Sequence, residues 1–308
     1  MFENYLKRIT PLMALLLLVF STSSWAGQFT FTDDSGRNIT IDRSFTRIIS
    51  LYGAHTENLF ALGLDTEIIG VADTDDYPNA VLTKPRFSHR DDPEKFIAAK
   101  ADLVLIRPMI FNGYQRLVTR LQDAGLTVVS LQPNNIEEMY NYWLILGRLT
   151  DREEQARGLV SAFKNKLTDI NQRLAAKPAS ARPRVFFEAI HGKIKTFAPG
   201  SMPIFALEAA GGRNVAGDAV PVRGTNIAAY GHEHLLSRAG EIDVYLAQTG
   251  PMNTVQVQTI KDESGFTAIK AVRDGRIYLV DEKIVSRPTL RLGEGIEILS
   301  KFLYPENQ

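Results

Sequence analysis

The stretch Asp92-Pro-Glu-Lys-Phe-Ile-Ala-Ala-Lys-Ala-Asp-Leu-Val-Leu-Ile106 decides the fold. Asp91 or Asp92 can cap a helix, and Pro93 in its first turn gives up only an amide that no helical carbonyl would have accepted. Past Asp102 the run Leu103-Val-Leu-Ile106 is apolar at every position, as a strand buried on both faces is. A helix over 112–123, a stop at Gly125 and a second apolar strand over 126–131 follow. Upstream, strands at 47–51 and 67–72 flank a helix over 56–64 that stops at Gly63. Repeated strand-helix-strand units with continuous apolar strands predict a parallel sheet covered on both faces. Before them, alternating residues at 28–33 and 37–42 around Asp34-Ser35-Gly36 predict a β-hairpin.

The alternation restarts downstream, with strands at 185–190, 242–247 and 276–280 and helices at 203–210, 233–237 and 289–303. Glu233-His-Leu-Leu-Ser-Arg-Ala leads into Asp243-Val-Tyr-Leu-Ala much as Glu94-Lys-Phe-Ile-Ala-Ala-Lys-Ala leads into Asp102-Leu-Val-Leu-Ile. Each places Glu at the start of an amphipathic helix that feeds a strand opened by Asp. Between the halves, residues 135–175 contain no proline and two glycines, which predicts one long helix, broken near Gly147. The expected fold class is α/β: two parallel-sheet, Rossmann-like lobes (27–134 and 179–308) joined by a linker helix (135–178), with an N-terminal β-hairpin.

Residues 1–26 read as a secretory signal. Lys7 and Arg8 precede the apolar run 11–20, and small residues at Ser24 and Ala26 predict a cut after Ala26, into the periplasm. The run is half of the roughly 20 residues that a spanning helix needs. The chain has no cysteine, so it offers no acceptor for a lipid anchor, no disulfide and no thiolate. Its 35 basic and 35 acidic residues give a net charge of zero, against the basic excess of a nucleic-acid binder.

With these residues in place the chain resembles the ABC-importer binding proteins whose lobes are joined by a single long helix, the class that binds iron-siderophores, haem and cobalamin. The resemblance rests on Arg47-Ile-Ile-Ser-Leu-Tyr-Gly-Ala-His-Thr-Glu57, Leu59-Phe-Ala-Leu-Gly-Leu64, the Pro93-Glu94 helix, Glu233-His-Leu-Leu and Arg287-Pro-Thr-Leu-Arg291, and it covers nearly all of the mature chain. It departs from the family at Gly53, where Pro is frequent, and at Phe87, near the Tyr of the haem-binding branch. The resemblance implies a monomeric binding protein without catalytic turnover or intrinsic cofactor. Its cleft would take a small-molecule metal chelate, here an Fe(III) siderophore, and deliver it to a transmembrane permease dimer with a separate ATPase. Glu94 and Glu233 would be the acidic knobs that dock on the permease; each also complements the positive end of its helix.

Candidate ligand contacts are residues predicted in loops at the cleft side. Oxygen-rich chelates are bound by cations and aromatic walls. That points to Arg90, Arg107, Arg223 and Arg287, with Arg107 and Arg223 foremost, and to Tyr52 and Tyr230. His55, His89 and His191 could complete the coordination of a metal, His191 first, although a loop His is more often only a hydrogen-bonding residue. His232 and His234 are two apart on a helix and diverge. Cobalamin, haem or an oxyanion such as molybdate remains an alternative ligand. An exported hydrolase using His55, His89, His191 and Glu188 is the competing class, without a compact metal motif such as His-Glu-x-x-His to support it.

Overall fold

Phe29–Thr32 (β1) and Asn38–Ile41 (β2) form the predicted hairpin, with Gly36 at φ +79° in its turn. The computed structural model describes residues 28–175, 178–222 and 225–305. The predicted leader with its cut after Ala26, and Arg223, lie outside the described residues. None of the described helices is long and apolar enough to cross a membrane.

Five strands make the first sheet: Ile48–Ser50 (β3), Ile68–Ala72 (β4), Arg86–Phe87 (β5), Leu103–Ile106 (β6) and Thr127–Ser130 (β7). Their order is β5-β4-β3-β6-β7 and every pairing is parallel. The helices Gly53–Ala61 (α1), Pro93–Ala98 (α2), Pro108–Gly113 (α3) and Gln115–Asp123 (α4) connect them. Asp92 caps α2 by accepting the amide of Glu94 at 3.0 Å, with Pro93 in the first turn. Every residue of β6 is buried, as its unbroken apolar run requires, and each such Leu, Ile or Val contributes about 1.5–3 kcal/mol.

The long connection consists of Ile136–Thr150 (α5) and Glu153–Ala175 (α6). The break expected near Gly147 falls at Asp151, which is left-handed at φ +55°. Gly147 instead lets α6 come close: a Cβ there would lie 2.6 Å from the Cβ of Ala156. Trp143 of α5 is fully buried, its ring 5.7 Å from that of Phe163 in α6.

The second sheet contains Arg184–Ile190 (β8), Lys195–Phe197 (β9), Arg213–Asn214 (β10), Val220–Pro221 (β11), Ile227–Ala229 (β12), Val244–Thr249 (β13) and Ile277–Asp281 (β14). Its order is β11-β12-β9-β8-β13-β14, with β10 beside β8. The β8-β13-β14 core is parallel, as expected, but β9, β12 and β11 pair antiparallel. Only four residues separate β8 from β9, which is a hairpin length and far below the dozen or more needed for a parallel crossover. Met202–Ala209 (α7), His232–Ser237 (α8), Val257–Asp262 (α9), Lys270–Arg273 (α10), Glu282–Val285 (α11) and Leu292–Leu303 (α12) complete the lobe.

The internal likeness of the lobes has a shared chemical purpose. Asp102 accepts the amide of Arg47 at 2.9 Å, and Asp243 accepts the amide of Arg184 at 2.9 Å. In each lobe the Asp that opens one strand thus fixes the start of its neighbour. Burial pushes the Asp243 carboxyl up, but hydrogen bonds from Arg184 and Lys270 outweigh it and hold the group at about 2.

Candidate functional site: a cleft between the lobes

The carboxyl ends of the parallel strands in both lobes open onto one cavity of about 700 Å³. Open α/β sheets place ligands there because strands end and helix N-termini begin at that edge. From the first lobe, β3 supplies Tyr52 and Gly53, β4 leads to Asp73 and Thr74, β5 and its exit supply Phe87 and His89, and β6 leads to Arg107. From the second, β13 leads into Gln248–Met252 and β14 into Glu282, Lys283 and Arg287.

Arg107, at the N-cap of α3, lays its guanidinium 5.1 Å from the ring centre of Tyr52. Burial pushes the Tyr52 hydroxyl up, so it stays neutral. His89 meets the edge of Tyr114 at 4.4 Å, and burial, with Arg90 and Arg107 adding to it, lowers its basicity. Arg287 reaches across the lobes to bond Glu57 at 2.8 Å, its side chain 14% exposed and that of Glu57 3%. Gly53 makes room for this: a Cβ would lie 2.5 Å from the Arg287 guanidinium. Phe87 lines the cavity beside a ring partner, Phe96, at 5.0 Å, and Gly70 gives way to it.

Tyr52, His89, Arg107 and Arg287 therefore line the cavity, whereas four expected contacts do not. His55 is wholly buried, because α1 begins at Gly53 and turns its first-turn side chains inward. Its Nε2 lies 2.9 Å from the Ile106 carbonyl and so donates to it, while Nδ1 accepts from the Tyr142 hydroxyl at 2.6 Å. Burial lowers this imidazole to about 4. Arg90 is exposed and outside the lining. Tyr230 packs on Phe186 and His234, 5.3 and 4.4 Å between ring centres, because α8 draws it to the second lobe's outer core.

His191 turns away from the cleft to satisfy Glu188, a carboxylate buried within β8. Nδ1 lies 2.9 Å from Glu188, and Nε2 lies 3.5 Å from Glu263. The hydrogen bond that the ring donates to Glu188 raises its basicity, burial opposes this, and the charges of Glu188 and Glu263 add to the rise. Among the described residues no three of His, Asp and Glu are gathered to hold a metal, and both ring nitrogens of His191 face carboxylates. The hydrolase constellation also comes apart, since His55 is locked in the core and His191 lies behind the cleft. His232 and His234 serve separate partners, Glu263 at 3.6 Å and Asp218 at 3.1 Å, as their helix dictates.

Glu94 and Glu233 occupy the second positions of α2 and α8, both exposed. Glu94 makes a surface ion pair with Arg120 at 3.2 Å.

Asp73, Thr74, Pro251, Met252, Glu282 and Lys283 line the cavity without having been expected. Applied to β4, β13 and β14, the carboxyl-end rule that pointed to Tyr52 and Arg107 would have found them. Among the described residues the lining carries three cations, Arg107, Arg287 and Lys283, and three acids, Asp73, Asp281 and Glu282. Lys283 pairs with Asp76 at 2.5 Å. Burial pushes the Glu282 carboxyl up, against the pull of Arg287.

Two relatives and one solved structure are similar to this chain. The chain is 27% identical over 282 residues to an uncharacterized ABC transporter substrate-binding lipoprotein of Bacillus subtilis (strain 168), covering 90% of this chain and 86% of the relative. It is 24% identical over 261 residues to a vitamin B12-binding protein of Vibrio cholerae serotype O1, covering 83% and 88%. The structure of a Staphylococcus epidermidis ATCC 12228 protein, described as a possible iron-binding (periplasmic solute-binding) protein, superposes with a TM-score of 0.74 at 30% identity, covering 85% of this chain and all of that one. The sequence profile of one family runs from Ile48, where β3 starts, to Ile284 in α11, across both walls of the cleft, and by that match the chain belongs to the periplasmic binding protein family.

Proposed function

We propose that this protein captures an iron chelate of the siderophore type in the interlobe cleft and delivers it to the membrane permease of an ABC importer. The observation that carries the reading is a 700 Å³ cavity walled by both lobes, with an arginine from each in its lining. That volume falls in the range of pockets for organic ligands, roughly 300–1,000 Å³, and far exceeds what a tetrahedral oxyanion fills. Arg107 faces the cavity with no carboxylate partner among the described residues, whereas Arg287 and Lys283 are already paired. A balanced lining suits a chelate of low net charge, such as a ferric hydroxamate, better than a highly anionic one, whose charge would meet Asp73 and Glu282.

Cobalamin is the second reading, favoured by the same charge balance and by the vitamin B12-binding relative. Phe87 supplies no iron-ligating atom to a haem. Permease docking through the exposed Glu94 and Glu233, and export through the predicted leader with a cut after Ala26, belong to the same proposal.

The test is a titration followed by fluorescence of Trp143, whose indole donates to the Pro288 carbonyl of the second lobe at 3.2 Å and so senses lobe movement. Ferric desferrioxamine, ferric enterobactin, haem and cyanocobalamin are the probes. Tight binding of the ferric hydroxamate, weakened about 10-fold or more by Arg107→Ala, supports the reading. A response to cyanocobalamin alone moves the second reading forward, and a response to none of them overturns both.

A further inference from the structure

Behind the second lobe's wall of the cleft lies a polar cluster that the ligand reading leaves unused. Glu188 is 0% exposed, yet three groups converge on its carboxylate. They are Nδ1 of His191 at 2.9 Å, the hydroxyl of Tyr245, and Nδ2 of Asn253 at 3.1 Å. Asn253 is the hub: its Oδ1 accepts the His191 amide at 3.0 Å, and its Nδ2 also donates to the Gln248 carbonyl at 2.9 Å. Its backbone closes a four-residue turn, since Gly250 N donates to Asn253 O at 3.1 Å and Asn253 N donates to Gly250 O at 3.0 Å. At the tip of that turn Pro251 and Met252 project into the cavity lining, Met252 with 56% of its surface exposed. On the opposite side a Cβ on Gly250 would lie 2.3 Å from Cδ of Glu282, so the turn is gripped from both sides.

We propose that Asn253, held by the buried Glu188 and by His191, is a positioning residue that fixes the Gly250–Asn253 turn so that Pro251 and Met252 form a rigid apolar lip against the bound ligand. The role in binding rests on the reading of the cleft as a ligand site. A buried carboxylate without a strong set of donors is costly, and here those donors tie the cluster to one short turn. Desolvation makes this cluster more rigid than a surface hydrogen-bond network. Met252 lends the lip a polarisable, adaptable side chain on a fixed backbone. Met109, 45% exposed, lines the same cavity from the first lobe.

The experiment uses the full chain, made with its own leader, purified from the periplasmic fraction and labelled with ¹³C at the methionine methyls. The Met252 resonance is assigned with Met252→Leu. Asn253→Ala is expected to shift or broaden the Met252 methyl, while the core methyls of Met139 and Met202 stay in place. If Asn253→Ala moves the core methyls as well, His191→Gln, a milder change at a part-exposed side chain, takes its place. A Met252 methyl unmoved in the folded variants overturns the positioning role. In parallel, ferric desferrioxamine and cyanocobalamin are titrated into wild type, Asn253→Ala and Met252→Ala. The expected result is about 10-fold weaker binding by both variants of whichever probe wild type binds. Unchanged affinity overturns the lip as a ligand contact. Wild type binding neither probe counts against the cleft reading, and the methyl spectra then decide the positioning role alone.

Discussion

His55 and His191 follow the first parallel strand of their respective lobes, and both were expected at the ligand. The fold gives them opposite chemistry. His55 is buried among neutral partners, a tyrosine hydroxyl and a peptide carbonyl, so desolvation wins and the ring is held neutral, with its pKa down at about 4. His191 is only partly buried and lies beside carboxylates, so pairing wins and its proton is held more tightly than usual. Depth and the nearest charge together decide the state of a histidine. One became a spacer between α1 and α5, the other the clamp on a buried acid.

The largest effect that could break this contrast is on Glu188. Glu188→Ala leaves Nδ1 of His191 and the Tyr245 hydroxyl without their acceptor and takes one of two from Asn253, and a loss of about 3–5 kcal/mol in urea unfolding is expected. A loss below 1 kcal/mol would mean that the cluster is solvated, and His191 would then resemble a surface residue.

The pH dependence of stability comes next, and the two histidines act on different limbs. The unfolded chain protonates His55 near its ordinary 6.5, the folded one only near 4. The unfolded state therefore binds more protons as pH falls through this window. Stability drops by about 3 kcal/mol between pH 6.5 and 4, and His55→Gln should flatten that limb. His191 has a raised value, so its contribution is complete below 6.5 and is lost as pH rises through the folded value. Glu188 and Glu263 are the acids that face it. His191→Gln should remove only this upper limb. Urea midpoints measured from pH 4 to 9 separate the two, and a shared response to either substitution would refute the contrast.

Tyr142→Phe removes a single hydrogen bond to His55, and a loss of about 0.5–1.5 kcal/mol is expected, together with an easier protonation of the ring by NMR titration. The smallest effect belongs to the exposed acids. Glu94→Ala and Glu233→Ala should change stability by less than about 0.5 kcal/mol, yet reduce uptake in cells that depend on the importer. Unimpaired uptake by the double variant would remove the docking role.

The sequence determined the lobes' parallel cores, the hairpin and the long helical connection, because binary patterns, caps and glycine stops act over a few residues at a time. It also pointed to Tyr52 and Arg107, since the residue after a buried parallel strand emerges at the ligand edge whatever surrounds it. Arg287, carried by the Arg287–Arg291 motif, was legible too, but its partner was not. Its pairing with Glu57, 230 positions away, exists only once the lobes meet. The same limit hid the antiparallel edge of the second sheet, formed by strands of two or three residues too short to leave a pattern. Which histidines face the cleft was decided by tertiary structure alone. Burial and the nearest carboxylate are properties of packing, and neither His55 nor His191 carries them in its neighbours along the chain.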